Sequence, residues 1–497
     1  MQAFMAPGES PQAAGAEDAR VPLVVDLDGT LCRTDTLHEG LLGLIARRPA
    51  TLFALPGWLA GGKAEFKARV AAAGGLVDPA LLPYDADVLD RISAARLDCR
   101  PVALVSAADY RQVTAVADHL ELFDLAVGTG SAGTSGNLAG QRKADLLVAH
   151  FGEGRFDYIG DSDADIPVWR HARRAYGARL APAVQRRAAA AGLAPVEVSP
   201  AAGNVANTRR RALLRAMRPH QWVKNLLVLL PVLAAQDLTL LPAGLLAMLC
   251  FSLAASAVYI VNDLVDLPAD RQHPRKRNRP FAAGAVSAAQ GLVLAACLLV
   301  VAMGTAALFL PARFLGALLV YLLATCGYSF WLKRKMMVDV IMLAGLYTLR
   351  IVAGAMATGI VLSPWLLVFS MFLFFSLATI KRQAELEDLI QRGLERLAGR
   401  NVIAGDLPIL QAMSIGAAQA AVLVFALYSQ DPEVQGHFQR PDLLLLICPV
   451  LFLWLGRMQM MTRRGYMTDD PIVFTVRDRP SLASGLAILA IFALAAG

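Results

Sequence analysis

Asn262-Asp263-Leu264-Val265-Asp266-Leu267-Pro268-Ala269-Asp270-Arg271 is the stretch whose reading decides the fold. The run Leu245–Val261 before it is apolar and reads as a membrane helix. His273-Pro274-Arg275-Lys276-Arg277-Asn278-Arg279-Pro280 follows it. Asp263, Asp266 and Asp270 stand at i, i+3 and i+7, one face of a helix. Carboxylates in that pattern suit magnesium, which takes a few carboxylates and fills its other positions with phosphate oxygens. The Lys and Arg cluster beyond suits a polyphosphate whose charge the metal neutralises only in part. A solvated helix end with a positive-inside loop accounts for the basic residues, but not for three aligned acids at a membrane boundary.

At 497 residues the chain is too long for one ordinary core, so two or more domains are expected. Apolar residues make up 56%, which points to membrane spans. The net charge is +7, but the basic residues sit in clumps between apolar runs. Such clumps report topology, and no nucleic-acid partner is expected. Cys32, Cys99, Cys250, Cys297, Cys326 and Cys448 are scattered without a CxxC pair, so neither a disulfide frame nor a zinc site is expected. Residues 1–20 are rich in Ala, Gly, Pro and Glu and lack an apolar core. They read as a disordered N-terminus and not as a signal peptide.

Val21-Pro22-Leu23-Val24-Val25 reads as a buried strand running into Asp26-Leu27-Asp28-Gly29-Thr30-Leu31. A strand ending in Asp-x-Asp-Gly-Thr places two carboxylates at the carboxyl end of a parallel sheet, where open α/β sheets bind ligands. Val102–Val105 is a second strand, ending at Ser106; Lys143 follows a Gly-rich loop; Phe156–Ile159 is a third strand, ending in Gly160-Asp161-Ser162-Asp163-Ala164-Asp165. In this order the four segments resemble the motifs of the haloacid dehalogenase (HAD) superfamily. The resemblance implies a Rossmann-like parallel sheet over residues 21–185, with a small helical cap between about Thr34 and Arg96. It implies Asp26 as nucleophile, Asp28 as acid/base, and Ser106 and Lys143 as holders of the phosphoryl group. It also implies magnesium held by Asp26, the Asp28 carbonyl and Asp161, with Asp165 in support. An acid at Asp28 favours a phosphatase.

Residues 186–212 read as a linker, and Arg209-Arg210-Arg211 marks the approach to the membrane. Residues 213–497 read as an all-α membrane domain of about nine spans, approximately 223–236, 242–261, 289–309, 313–332, 337–360, 364–380, 408–429, 442–456 and 480–497. Basic loops alternate with loops carrying one Arg or none. The positive-inside rule then puts the N-terminus, the HAD-like domain and the acidic motif on the cytoplasmic side of an inner membrane, and the C-terminus outside.

The string from Asn262 to Pro280 resembles the first aspartate motif of the UbiA superfamily of membrane prenyltransferases. Within it, the string is most similar to the branch that moves 5-phosphoribose from phosphoribosyl diphosphate to polyprenyl phosphate. The resemblance implies magnesium at Asp263, Asp266 and Asp270 with help from Asn262, and phosphate contacts from Arg271, Lys276, Arg277 and Arg279. It extends to Arg218-Pro219-His220-Gln221-Trp222-Val223-Lys224-Asn225, where Lys224 and Asn225 are substrate candidates. Tyr328, Lys333, Asp339 and Arg350 match the region of the fourth and fifth helices, where a carboxylate in an apolar run is expensive unless paired. The generic second motif, DxxxD, is replaced by Lys381-Arg382-Gln383-Ala384-Glu385-Leu386, and Asp469-Asp470-Pro471 precedes the last span. Both departures resemble the phosphoribosyl branch and add Lys381, Glu385, Asp469 and Asp470 as candidates.

The implied activity is release of diphosphate with formation of polyprenyl-phosphoryl-5-phosphoribose, followed by removal of the 5-phosphate by the HAD-like domain to leave an arabinose precursor for a cell wall. The alternative is transfer of a polyprenyl group from its diphosphate to an aromatic or quinone acceptor. A HAD-like binding module on a transporter-like bundle is the reading from a non-enzyme class. The sequence leaves homo-oligomerisation open.

Overall fold

The computed structural model describes residues 21–134, 136–199, 205–395, 401–436, 438–467 and 470–497. Residues 1–20, Arg396, Arg400 and Asp469 lie outside them. The chain forms two compact units, one of residues 1–216 with 260–294, the other of 217–259 with 295–497.

The first unit is built on a six-stranded parallel sheet, β1 Leu23–Val25, β2 Val102–Asp109, β3 Leu125–Thr129, β4 Asp157–Gly160, β5 Arg174–Ala178 and β6 Val196–Ser199, in the order β3-β2-β1-β4-β5-β6. β1 is central, pairing Val24 with Ala103 of β2 and with Tyr158 of β4. Its three residues are buried because both faces of the sheet are covered. Leu23 and Val25 pack with one core and Val24 with the opposite one, as strand alternation requires. Each such side chain contributes about 1.5–3 kcal/mol by leaving water.

Four helices follow β1: α1 Thr36–Arg47, α2 Thr51–Ala60, α3 Gly62–Ala72 and α4 Ala86–Leu97. Asp35 caps α1 by accepting from the His38 N–H, and Asp85 caps α4 by accepting from that of Val88. Val88, Ile92 and Ala95 of α4 enter the sheet core, so the cap is formed by α1, α2 and α3 and closes before Arg96. α5 Tyr110–Leu120 and α6 Gln141–Phe151 cover the two faces of the sheet. The stretch expected as a linker is partly structured: Pro182–Ala190 is a helix and β6 pairs with β5. Only two valines of β6 are apolar, too weak a pattern to show a strand in the sequence.

Eight helices among the described residues are long and apolar enough to cross a membrane, at 238–265, 288–309, 312–329, 338–358, 364–391, 404–429, 441–463 and 479–496. The expected span 223–236 is not among them. Pro219–Leu229 is a 3-10 helix and Leu230–Ala234 a short α-helix, with Pro231 in its first turn. Their combined length falls short of the ~20 residues a hydrocarbon core requires. α7 Leu267–Gln272 lies in the first unit; in the second, α8 Val338–Thr358 carries the buried Asp339 and Arg350, and α9 Pro364–Gln391 the buried Arg382. A Cβ at Gly354 of α8 would lie 1.9 Å from the Val228 carbonyl oxygen, so only glycine lets the 3-10 segment approach this closely.

Candidate functional sites

In the first unit, the carboxyl ends of β1, β2 and β4 bring Asp26, Ser106 and Asp161 together. Asp26, Asp161 and Asp165 each offer an oxygen within 4.8 Å of the others. Lys143, from the first turn of α6, lies 3.2 Å from Asp26 and 3.5 Å from Asp165. The Ser106 hydroxyl bonds to Asp26, and the Leu27 N–H donates to Asp26 Oδ1 at 2.8 Å. Burial pushes the Asp26 carboxyl up against the pull of Lys143, and burial together with Asp165 and Asp26 pushes Asp161 up further. Two buried carboxyls that resist ionising side by side are relieved by a divalent cation. The residues therefore fit magnesium.

Asp165 is held in place by its neighbours. Its Oδ2 accepts from the Asp161 and Ser162 N–H groups and the Ser162 hydroxyl, and its Oδ1 accepts from the Tyr158 hydroxyl at 2.7 Å. Lys143 donates to the same hydroxyl at 2.8 Å. Tyr158 was not legible as a site residue, because in Phe156–Ile159 it reads as one more core side chain. Asp28 accepts from the Thr36 N–H at 2.8 Å, which ties it to the start of α1. Burial, then Asp35, pushes its carboxyl up to about 7. Gly29 has φ +81°, and a Cβ there would stand 2.3 Å from an Asp161 oxygen. From the cap, Lys67 of α3 donates to the Ala107 carbonyl at 2.5 Å and to Asn137 Oδ1 at 2.6 Å. Lys67 lacks a motif that marks it.

The acidic motif also belongs to this unit. The helix Leu241–Val265 ends beside Asp266, and α7 begins with Pro268 in its first turn. The expected single helix is thus interrupted, yet the Asp266 N–H still donates to the Asn262 carbonyl and that of Asp270 to the Asp266 carbonyl. Helical spacing survives the break. Asp263 and Asp270, both buried, meet on one nitrogen of Arg279, at 3.1 and 2.6 Å. Burial keeps the Asp270 carboxyl above its ordinary value despite Arg279. A cation bridging two carboxylates is the arrangement a metal would also adopt, so this pair fits magnesium as well. Asn262 and Asp266 flank the pair, half-buried.

The basic residues divide. Lys276 and Arg277 are exposed on the 3-10 turn Lys276–Asn278. Arg271 is held by both oxygens of Glu39 in α1, at 2.6 and 2.7 Å, and donates to the Ala282 carbonyl. Arg271, expected at phosphate, is therefore a buried ion-pair residue. Glu39 had no signal in the sequence, since its partner lies 232 residues away.

The second unit holds a separate polar cluster. Lys224 and Lys381 both reach Asp470 Oδ2, at 2.7 and 3.0 Å, and the Tyr347 hydroxyl donates to the same carboxylate at 2.9 Å. Burial alone would push the Asp470 carboxyl up, but Lys224 and Lys381 outweigh it and hold it well below the ordinary range. Asp470 also accepts from the Ile472 N–H at the start of the helix Pro471–Arg477. Asn225 accepts from Arg350 Nε at 2.9 Å and donates to Ser252. Arg350 lies over the rings of Phe251, Tyr321 and Tyr347. Asp339 accepts from Tyr328 and from two nitrogens of Arg382, which also binds Glu385. Asp339 and Arg350 thus have different partners, and the carboxylate expected to need pairing is paired. Arg382, fully buried, carries no signal of its own beside Lys381 in the sequence, although a buried Asp339 requires such a partner. Lys333 lies on the turn Leu332–Arg334, half-buried.

The profile of the UbiA prenyltransferase family matches residues 226–405. The chain is 36% identical over 487 residues to an uncharacterised protein, y4nM, of Sinorhizobium fredii, covering 96% of this chain and 92% of that one. It is 35% identical to the nodulation protein NoeC of Azorhizobium caulinodans, covering 56% of this chain and 91% of that one. It is 40% identical over 181 residues to a decaprenyl-phosphate phosphoribosyltransferase of Mycobacterium tuberculosis, covering 35% of this chain and 60% of that one.

Proposed function

The chain belongs to the UbiA prenyltransferase family and is a multi-pass membrane protein, and on that premise we propose that it moves 5-phosphoribose from phosphoribosyl diphosphate to a polyprenyl phosphate. The observation that carries the proposal is the meeting of Asp263 and Asp270 on one cation at the end of a membrane helix. Asp263, Asp266 and Asp270, with Asn262, would hold magnesium, whose contribution is to neutralise the diphosphate leaving group. Arg279, Lys276 and Arg277 bind the remaining phosphate oxygens. Two lysines on one carboxylate, Lys224 and Lys381 on Asp470, leave net positive charge for a second anion, the lipid phosphate. Asn225, Arg350, Tyr328, Asp339 and Glu385 form a paired polar scaffold in the second unit, and Lys333 and Asp469 are further substrate candidates through the family resemblance. The lipid phosphate oxygen bonds to ribose C1 as the bond from C1 to diphosphate breaks. The relatives named as phosphoribosyltransferases support this choice.

The first unit then hydrolyses the 5-phosphate. Asp26 attacks phosphorus, Ser106 and Lys143 hold the phosphoryl oxygens, and Asp28 gives its proton to the departing 5-hydroxyl. Asp28 next takes a proton from water, which cleaves the aspartyl-phosphate and releases inorganic phosphate. Asp26 and Asp161, with Asp165 in support, would hold magnesium there. The products are polyprenyl-phosphoryl-ribose, diphosphate and phosphate. The alternation of basic loops supports a cytoplasmic position for both sites, at an inner membrane.

Purified protein in detergent with magnesium, phosphoribosyl diphosphate and polyprenyl phosphate tests this, followed by diphosphate and phosphate release and lipid mass. A ribosylated lipid is expected, its 5-phosphate retained in Asp26→Asn. Turnover only of a polyprenyl diphosphate with an aromatic acceptor would replace the proposal with prenyl transfer.

A further inference from the structure

Helix α2 has the sequence Thr-Leu-Phe-Ala-Leu-Pro-Gly-Trp-Leu-Ala, without a charged residue, and none of its residues is buried. Phe53 is 90% exposed, Leu59 58% and Leu52 51%. A helix apolar all round belongs inside a core or a bilayer. At ten residues it is about 15 Å long, half of the ~30 Å a span requires. Exposed Arg47 and Arg48 precede it and exposed Lys63 follows it. Trp58 lies near its end, the residue type that anchors at membrane–water boundaries.

Two contacts tie this cap to chain that leaves a membrane helix. Glu39 of α1, three residues of linker before α2, is clamped to Arg271 of α7, and both side chains are nearly buried. α7 begins two residues after the apolar helix ends at Val265. Gly284, in the same returning loop, sits close to Arg33, where a Cβ would be 2.7 Å from that of Arg33.

We propose that α2 is an interfacial anchor that lies in the headgroup–acyl boundary of an anionic bilayer. Its apolar surface enters the lipid while Arg48 and Lys63 meet headgroup phosphates. The cap thereby faces the phase in which a lipid-linked phosphate travels. That last consequence rests on the phosphatase reading above; the insertion itself does not.

The test uses the full chain in nanodiscs of phosphatidylglycerol and phosphatidylcholine, one copy per disc, with an environment-sensitive fluorescent amino acid at Phe53. The same probe at Leu97, 85% exposed on α4, is the control. Lipids brominated near the headgroup are expected to quench the probe at 53 about threefold or more and to spare the probe at 97. Equal, weak quenching at both positions overturns the proposal. So does protection at 53 that appears only with two copies per disc, which would make α2 a contact between chains. A second measurement compares Phe53→Ser/Leu59→Ser with the unaltered chain. Hydrolysis of soluble p-nitrophenyl phosphate should be unchanged and hydrolysis of a lipid-linked sugar phosphate about tenfold slower. An unaltered chain that cleaves only the soluble ester refutes the assigned phosphatase substrate, and the bromine result then decides the anchor by itself.

Discussion

Single residues in the first unit make separable demands. Gly29 holds a left-handed backbone against Asp161, so Gly29→Ala must displace either the loop or the carboxylate. Backbone strain of this kind costs about 1–3 kcal/mol. The expected result is at least about tenfold slower hydrolysis of p-nitrophenyl phosphate, with lipid ribosylation unaffected; equal rates would show that Asp161 is not needed in this position. His38 offers a titration. Its hydrogen bond to Asp35 raises the imidazole above its ordinary value of 6.5, against the opposing effect of burial. The charged form is favoured in the fold, so the stabilisation is complete below that ordinary value and is lost as pH rises through the raised one. A histidine NMR titration should show the His38 midpoint falling in Asp35→Asn. These residues also show what sequence can carry. Asp26, Asp161 and Lys143 were legible because strand ends and a Gly-rich loop gave each a place. Tyr158 and Arg382 were not, because a tyrosine in a buried strand and an arginine in a basic run look ordinary until their partners are known.

Elements meet through buried charge. The Glu39–Arg271 pair joins α1 to α7, and removing one partner of such a pair costs about 3–5 kcal/mol because the other is left buried and uncompensated. Glu39→Gln and Arg271→Gln should each lower the thermal midpoint of the full chain, and Glu39→Arg with Arg271→Glu should recover part of the loss. A double-mutant cycle measures this; additive losses without recovery would mean that the pair does not join the helices. Asp470 is the matching case in the second unit. Asp470→Asn leaves Lys224 and Lys381 without their shared carboxylate, so lipid ribosylation should fall about a hundredfold or more while p-nitrophenyl phosphate hydrolysis persists. The apolar runs of the spans were plain in the sequence, and 223–236, at fourteen residues, was the shortest of them. That run is shorter than a span and carries Lys224 and Asn225; in the fold it is a 3-10 segment followed by a short helix with Pro231 in its first turn, and Val228 packs closely on Gly354. Asp263 and Asp270 meet on Arg279 across a break at Asp266 that the i, i+3, i+7 spacing did not show.

At the scale of the whole chain, the two proposed chemistries matter together only if the product of one is the substrate of the other. The sites are built from different residues and can be silenced one at a time. Asp263→Asn should abolish ribosylation and leave hydrolysis of a soluble ester, and Asp26→Asn should do the reverse. Covalent tethering raises the local concentration of the second site to about the millimolar range, far above that of a protein diluted in lipid. An unaltered chain reconstituted at one copy per disc should therefore release diphosphate and phosphate nearly together. A mixture of Asp26→Asn and Asp263→Asn chains in separate discs should release diphosphate at once and phosphate after a lag set by lipid exchange between discs. If the lag is as long for the unaltered chain, the two sites share a polypeptide without sharing an intermediate. If the mixture shows no lag, the intermediate leaves the membrane faster than a polyprenyl tail allows, and the phosphatase acts on a soluble ester instead.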